Sequence, residues 1–133
     1  MSNIIINNKI KSFNKKIKVN GDKSLSIRWV LLASMASGVS KAKNLLISED
    51  VLAAIGAIKK LGIKVKFNNK ICEITGKGFN GYRYSNNLNI DAKNSGTLAR
   101  LLPGLLINSQ KKIKISGDES LSKRDFKRIT DPL

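Results

Sequence analysis

The sequence predicts a mixed α/β fold assembled from a repeated unit. Three observations carry that expectation. Segments with a two-residue apolar period alternate with segments of helical period. Glycine and asparagine turn signals separate them. The order helix, strand, helix, strand, strand begins again near residue 88. With 133 residues, 41% of them hydrophobic, the chain has the length for one domain and the apolar content for a packed core.

Residues 3–7 and 16–19 read as short strands, with Lys16-Ile17-Lys18-Val19 alternating at period two. Asn20-Gly21-Asp22 is a turn signal. A helix is expected from Ser24 to Ser37. Leu25, Trp29, Leu32 and Ala36 form its apolar face, Leu31 and Met35 extend that face, and Gly38 stops the helix. Residues 43–47 read as a strand. Ser48 then caps a second helix, with Glu49 and Asp50 in the first turn, where the helix dipole favours anions. Val51, Ala54, Ile55, Ile58 and Leu61 form its buried stripe, and Gly62 ends it. Ile63, Val65 and Phe67 alternate with lysines in a half-buried strand. Asn68-Asn69 turns the chain into another strand, Ile71–Thr75.

The second unit repeats this order after a flexible loop over residues 76–87. Leu88 and Ile90 mark a strand. Asn94-Ser95-Gly96 opens a helix with Leu98, Leu101, Leu102 and Leu105 on one side, and Pro103 is expected to kink it. Lys112–Ile115 alternates as a strand, and Gly117-Asp118 turns. Ser122 with Asp125 has the spacing of a capping box for a last helix carrying Phe126, Ile129 and Leu133. The units span about residues 20–80 and about 86–133, and the second, without a closing hairpin, reads as truncated.

Composition narrows the chemistry. The absence of histidine removes histidine-activated nucleophiles and histidine metal sites together. The single cysteine, Cys72, reads as a small buried apolar residue. No apolar run approaches the roughly 20 residues of a membrane span. The first residues have no apolar signal core, so a cytoplasmic protein is expected. A net charge of +16 suits nucleic acid, small anions, or a lysine-, asparagine- and isoleucine-rich compositional drift. The lysines are scattered and aromatics make up only 5%, so platforms for base stacking are scarce and nucleic acid is not the expected partner.

Gly76-Lys77-Gly78-Phe79-Asn80-Gly81 fits a dinucleotide fingerprint by letter, but Tyr82-Arg83-Tyr84 is a poor helix start and no cofactor is expected there. Gly21-Asp22-Lys23-Ser24 lacks the spacing of a phosphate loop. It still feeds a helix start, where free N–H groups and the dipole favour anions. Lys23, Ser24 and, one turn on, Arg28 suit a phosphate or carboxylate as well as they suit an ordinary solvated helix end. Asn94-Ser95-Gly96-Thr97 with Arg100 is a second such start, and Gly117–Arg124 a third. Three helix starts, each with a nearby cation, suggest a cleft that gathers several anionic groups.

These segments resemble a known family. Gly21-Asp22-Lys23-Ser24-Leu25-Ser26-Ile27-Arg28, Asn94-Ser95-Gly96-Thr97 with Arg100-Leu101-Leu102, and Gly117-Asp118-Glu119-Ser120-Leu121-Ser122-Lys123-Arg124 are similar in order and spacing to three signatures of EPSP synthases. The resemblance covers about residues 15–133. It implies an α/β (α+β) fold of repeated β-α-β-α-β-β units, the inside-out barrel of enolpyruvyl transferases, here incomplete. It implies that residues 1–133 are the N-terminal part of a two-domain enzyme with its active site between the domains. The first strands would join the sheet of the other domain.

The resemblance also implies a reaction and roles. The enolpyruvyl group of phosphoenolpyruvate passes to the 5-hydroxyl of shikimate 3-phosphate, and phosphate leaves. Lys23, Ser24 and Arg28 would bind shikimate 3-phosphate. Lys23, Asn94, Gly96 and Arg124 would hold phosphoenolpyruvate. No metal and no organic cofactor takes part, and the family is usually monomeric. The acid–base residues belong to the missing C-terminal portion, so no catalytic residue is assigned within this chain and it is expected to be inactive alone. Asn20, Ile27 and Asp125 depart from the family pattern, and Asp125 is expected to pair with Arg124. The related transferase acting on UDP-N-acetylglucosamine fits less well, because Ser24 and the Gly117–Arg124 segment differ from its pattern. The alternatives are a stand-alone basic module binding anions or nucleic acid, and a non-functional remnant.

Overall fold

A computed structural model describes residues 5, 7, 12, 14–68 and 71–133. Its elements run α1 (Lys23–Met35), β1 (Ser37–Lys43), α2 (Glu49–Lys60), β2 (Lys64–Asn68), β3 (Ile71–Lys77), β4 (Leu88–Asp91), α3 (Gly96–Leu105), β5 (Ile113–Ser116), α4 (Glu119–Ser122) and α5 (Lys127–Thr130). Apart from Ile5 and Asn7, the strand expected over 3–7 lies outside the described residues, as does Asn69 of the expected turn.

The mixed α/β architecture is present, with the strands in one three-stranded and one two-stranded sheet. In the first, β3 lies between β1 and β2 and is antiparallel to both, so Cys72 faces Ala42 on one side and Phe67 on the other. In the second, β4 and β5 pair in parallel, with Ile90 opposite Ile115. A parallel pair needs a crossover, and α3 supplies it.

Helix α2 forms as its stripe dictates. Val51, Ala54, Ile55, Ile58 and Leu61 are all buried, and Lys59 and Lys60 end it where the dipole favours cations. Gly62 takes φ +83, the left-handed conformation that closes a helix. The stripe packs against α1 and meets Ile74 of β3, Ile90 of β4 and Leu98 of α3 in one core. That shared core holds α3 and β4 against α1, α2 and β3. Cys72 is buried within it, and burial pushes its thiol pKa up. Among the described residues no helix is long and apolar enough to cross a membrane.

Five local expectations are corrected. First, α1 buries Ser26, Ile27, Val30, Leu31, Ala33 and Ser34, leaving Leu25 and Leu32 largely exposed. Apolar residues occur on nearly every side of this helix, so their spacing does not single out one face. Second, the strand expected at 43–47 is β1, at Ser37–Lys43, and Gly38 lies inside it with φ +94. Backbone pairing with β3 makes Ser37–Ser40 a strand despite its polar side chains.

Third, residues 16–19 are in no strand. A strand needs a ladder partner, and the described contact here is a single hydrogen bond from Asn44 Nδ2 to the Val19 carbonyl, 3.2 Å. Fourth, the last expected helix is two single turns, and its first cap is Asp118 rather than Ser122. The Ser122 hydroxyl donates back to the Asp118 carbonyl at 2.8 Å. Fifth, the connection between the units is tied down. Tyr82 bonds Ser34 at 2.8 Å, the Arg83 N–H donates to Leu61 at 2.9 Å, and the Tyr84 hydroxyl donates to Ser109 at 2.7 Å. This connection leads from β3 through turns, not directly into a helix.

Candidate functional site

The start of α1 rests on a close backbone approach. A Cβ on Gly21 would stand 2.2 Å from the Asn44 carbonyl oxygen, so only glycine fits there without a shift. Asp22 caps the helix by accepting from the Leu25 N–H at 2.7 Å. Buried Ser26 accepts from the Leu46 N–H at 3.1 Å and anchors the first turn to the loop after β1. Lys23 then forms an ion pair with Asp50 of α2 at 2.9 Å. Ser24 is half-buried and Arg28 exposed; four residues apart, they share a helix face.

The start of α3 is built by distant parts of the chain. The parallel β4–β5 pair ends with the Ala92 N–H donating to Ser116 at 2.7 Å and the Asp118 N–H donating to Lys93 at 2.9 Å. The loop before α3 and the turn before α4 therefore lie side by side. A Cβ on Gly117 would meet the Lys93 carbonyl oxygen at 2.7 Å. Buried Ser95 caps α3, accepting from the Leu98 N–H at 3.3 Å. Asp118 caps α4 through Oδ1, 2.7 Å from the Leu121 N–H, and its Oδ2 accepts from Asn94 Nδ2 at 2.6 Å. Asn94 Oδ1 in turn accepts from Arg124 Nη2 at 2.5 Å.

Gly96 sits beneath two guanidinium groups. A Cβ there would stand 2.8 Å from Arg124 Nη1 and 2.9 Å from Arg100 Nη1. Arg100 also lies 5.3 Å from the centre of the Phe126 ring. The structure thus brings Asn94, Gly96 and Arg124 into one cluster and adds Arg100 and Asp118. The N–H of Leu121, the Asn94 amide and the charge of Arg124, in that order among the lowering effects, hold the Asp118 carboxyl below the usual carboxylate range.

The two clusters face the same end of the molecule. Lys23 of α1 is paired with Asp50 at the start of α2. Glu49, beside Asp50, lines one cavity together with Lys93, which precedes α3. The pKa of the Lys93 ammonium is raised, first by its hydrogen bond to Asp91 and least by the charge of Glu49. The starts of α1, α2 and α3 are therefore neighbours. A helix start leaves up to four N–H groups without intrahelical partners. Asp22 and Ser95 each take one at α1 and α3, whereas Ser48, the expected cap of α2, makes no side-chain hydrogen bond to the helix. Lysine and arginine side chains stand at the rim of α1 and α3. The arrangement suits anions. Among the described residues no group of three or more acidic, cysteine or histidine side chains is placed to hold a metal ion.

Two expectations about the site change. Asp125 is not ion-paired with Arg124: its carboxylate accepts from the Lys127 N–H at 2.8 Å and its carbonyl accepts from Arg100 at 3.5 Å. The third helix start is not an anion site. It is a single turn closed by the carboxylate of Asp118, followed by Glu119, which pairs with Lys123 at 2.6 Å. Its contribution is Arg124. Sequence reasoning placed Asp50 in a helix's first turn and Asp118 in a turn without their partners Lys23 and Asn94, and it named Arg100 beside the second helix start but not among the substrate-binding residues. Spacing alone could have flagged Asp118 as a cap for Leu121. Nothing local signals its second partner, 24 residues away.

Comparison with known proteins identifies the family. A family model described as EPSP synthase (3-phosphoshikimate 1-carboxyvinyltransferase) matches residues 7–133. The 3-phosphoshikimate 1-carboxyvinyltransferase of Alkaliphilus oremlandii is 42% identical over 127 residues, covering 95% of this chain and 29% of the relative. That of Streptococcus agalactiae is 43% identical over 117 residues, covering 88% of this chain and 27% of the relative. The solved EPSP synthase of Acinetobacter baumannii superposes with a TM-score of 0.77 at 36% identity, covering 90% of this chain and 27% of that one. The chain spans less than a third of the length of these relatives. The family model spans residues 7–133 and the relatives exceed 40% identity over most of this chain, and the chain belongs to the EPSP synthase family.

Proposed function

We propose that this chain supplies the substrate-binding part of an enzyme that transfers the enolpyruvyl group of phosphoenolpyruvate to the 5-hydroxyl of shikimate 3-phosphate, in the shikimate pathway to chorismate and aromatic amino acids. The observation that carries the reading is the gathering of the α1, α2 and α3 starts at one end, with Gly96 under two guanidinium groups. Lys23, Ser24 and Arg28 take shikimate 3-phosphate. Asn94, Gly96 and Arg124 hold phosphoenolpyruvate, and Lys23 faces both substrates. The two units are successive repeats at the N-terminal side of a two-domain transferase. The rest of that transferase is the chain's partner, and the enzyme works as a monomer in the cytoplasm.

The chemistry assigns this part a positioning task. The shikimate hydroxyl oxygen bonds to C2 of phosphoenolpyruvate while C3 takes a proton. The tetrahedral intermediate then loses phosphate from C2 and a proton from C3, and the enolpyruvyl double bond re-forms. Two polyanions must lie side by side for the first bond to form, and their repulsion grows as water leaves. A cleft with cations fixed at two helix starts offsets that repulsion and holds the reacting atoms together. Proton transfer is assigned to the part of the family's enzymes that this chain does not match. Purified alone, the 133-residue chain should bind phosphoenolpyruvate, weaken on Arg124→Ala, and release no phosphate when both substrates are present. Turnover by the chain alone, or binding indifferent to Arg124→Ala, contradicts the proposal.

A further inference from the structure

Arg124 is exposed, yet its guanidinium is held at the start of α3 by a side chain 30 residues away. A long exposed side chain normally samples many rotamers, so something must fix it. We infer that Asp118 and Asn94 form a two-residue relay that positions the Arg124 guanidinium over Gly96, which makes Asp118 a positioning residue for anion recognition. Its role in binding phosphoenolpyruvate rests on the function proposed above.

Asp118 Oδ1 is occupied by the Leu121 N–H at 2.7 Å, which fixes the carboxylate as the cap of α4. Its other oxygen, Oδ2, takes the Asn94 amide nitrogen at 2.6 Å. An ionised carboxylate only accepts, so Asn94 must turn its NH2 toward Asp118 and its oxygen away. That oxygen meets Arg124 Nη2 at 2.5 Å. Turned over, Asn94 would set donor against donor at Arg124.

The relay also separates charge from position. Asp118 orients Arg124 through a neutral amide instead of pairing with it. The guanidinium keeps its charge for a ligand, which a carboxylate placed directly on it would neutralise. Ser120 Oγ, 3.5 Å from Nη2, gives a weaker second contact. Gly96 completes the device, because a Cβ there would stand 2.8 Å from Nη1. A guanidinium held this way loses little freedom when an anion arrives, and that preorganisation adds affinity.

The test follows Arg124 by nitrogen-15 NMR of its guanidinium in the unliganded chain, and phosphoenolpyruvate affinity by calorimetry. The proteins are wild type, Asp118→Asn, and Asp118→Asn combined with Asn94→Asp. Asparagine still caps a helix, so Asp118→Asn should melt close to wild type, but the amide it introduces opposes Asn94. The Arg124 signals should then collapse to those of a freely rotating arginine, and affinity should fall roughly tenfold, the scale of one charged hydrogen bond. The exchanged pair should restore the Arg124 signals without restoring affinity, because a carboxylate then sits on the guanidinium. Arg124 signals unchanged in Asp118→Asn overturn the relay, whatever the affinities. Altered signals in a chain whose wild type binds no phosphoenolpyruvate support the relay and overturn the functional reading instead.

Discussion

The starts of α1 and α3 both present cations, and they are built in opposite ways. At α1 every proposed ligand lies within six residues of the sequence, from Lys23 to Arg28. Half-exposed Lys23 reaches out to the mostly buried carboxylate of Asp50. At α3 the cap is buried and a key cation comes from a turn 30 residues further on, through Asn94 and Asp118. Helix periodicity brings the ligands of the first start together, while Gly21 and Ser26 seat that start on the loop after β1. The second exists only when β4 and β5 are paired. A local site survives small changes in the fold around it, whereas a site built by tertiary contact has its geometry, and its fragility, set by the core.

The largest expected effect breaks the second start through that core. Leu98 is fully buried one turn after the Ser95 cap. Leu98→Ala should cost about 2–5 kcal/mol, read by urea unfolding. Arg124→Ala, at an exposed position, should change stability by less than about 0.5 kcal/mol. Equal losses in the two variants would mean that the cation cluster, not the core, holds the second start together.

Gly96→Ala sharpens the comparison at the level of binding. The added methyl must push back two guanidinium groups that would otherwise stand 2.8 and 2.9 Å away. Both are ends of flexible side chains, so the fold should tolerate it. Phosphoenolpyruvate affinity should fall about tenfold, or about 1.4 kcal/mol, while shikimate 3-phosphate affinity stays within about twofold, in parallel calorimetric titrations. An equal loss for both ligands would merge the two starts into one site.

Asp50→Ala probes the first start and should do less. Its pair with Lys23 is half exposed on the lysine side, and such pairs contribute about 0–1 kcal/mol. The melting temperature should barely move. Removing a carboxylate beside the ammonium proposed to bind the anion should strengthen shikimate 3-phosphate binding severalfold, less as salt is added. A weakened affinity would show that Asp50 orients Lys23 rather than competing for it.

The smallest effect is a pH dependence. Asp118 has its pKa lowered in the folded chain, by the Leu121 N–H first and the Asn94 amide next. A carboxyl depressed on folding adds stability that is present above its ordinary value, about pH 4, and is lost as pH falls through the folded value. The stability gap between wild type and Asp118→Ala should therefore be constant near neutrality and close below about pH 4 in acid melts. A gap that persists in acid would mean that the cap does not depend on the charge.

The same contrast explains what was legible in the sequence. Helix α2 was readable from its stripe from Val51 to Leu61, which is buried, and from the charges at its two ends, but Ser48 makes no side-chain hydrogen bond as its cap. The α1 cluster was readable because helix spacing places Ser24 and Arg28 together. The buried face of α1 was not: Leu25 and Ile27 are equally apolar, and only packing decides that Ile27 goes inside. Strand β1 was displaced for a similar reason, since Ser37–Ser40 gains its conformation from β3 and not from its own side chains. Asp118 was quoted within a motif, but its link to Asn94 follows from the parallel β4–β5 register, which no local pattern encodes.

The central claim is that the cations at the start of α1 recognise shikimate 3-phosphate. The most direct test is calorimetric titration of the chain with shikimate 3-phosphate, with duplex DNA as the competing ligand. The account predicts saturable binding that is lost in Lys23→Ala and Arg28→Ala and is not matched by DNA at moderate salt. Salt-sensitive DNA binding with no response to shikimate 3-phosphate would contradict it and make the net charge of +16, rather than the helix starts, the source of whatever the chain binds.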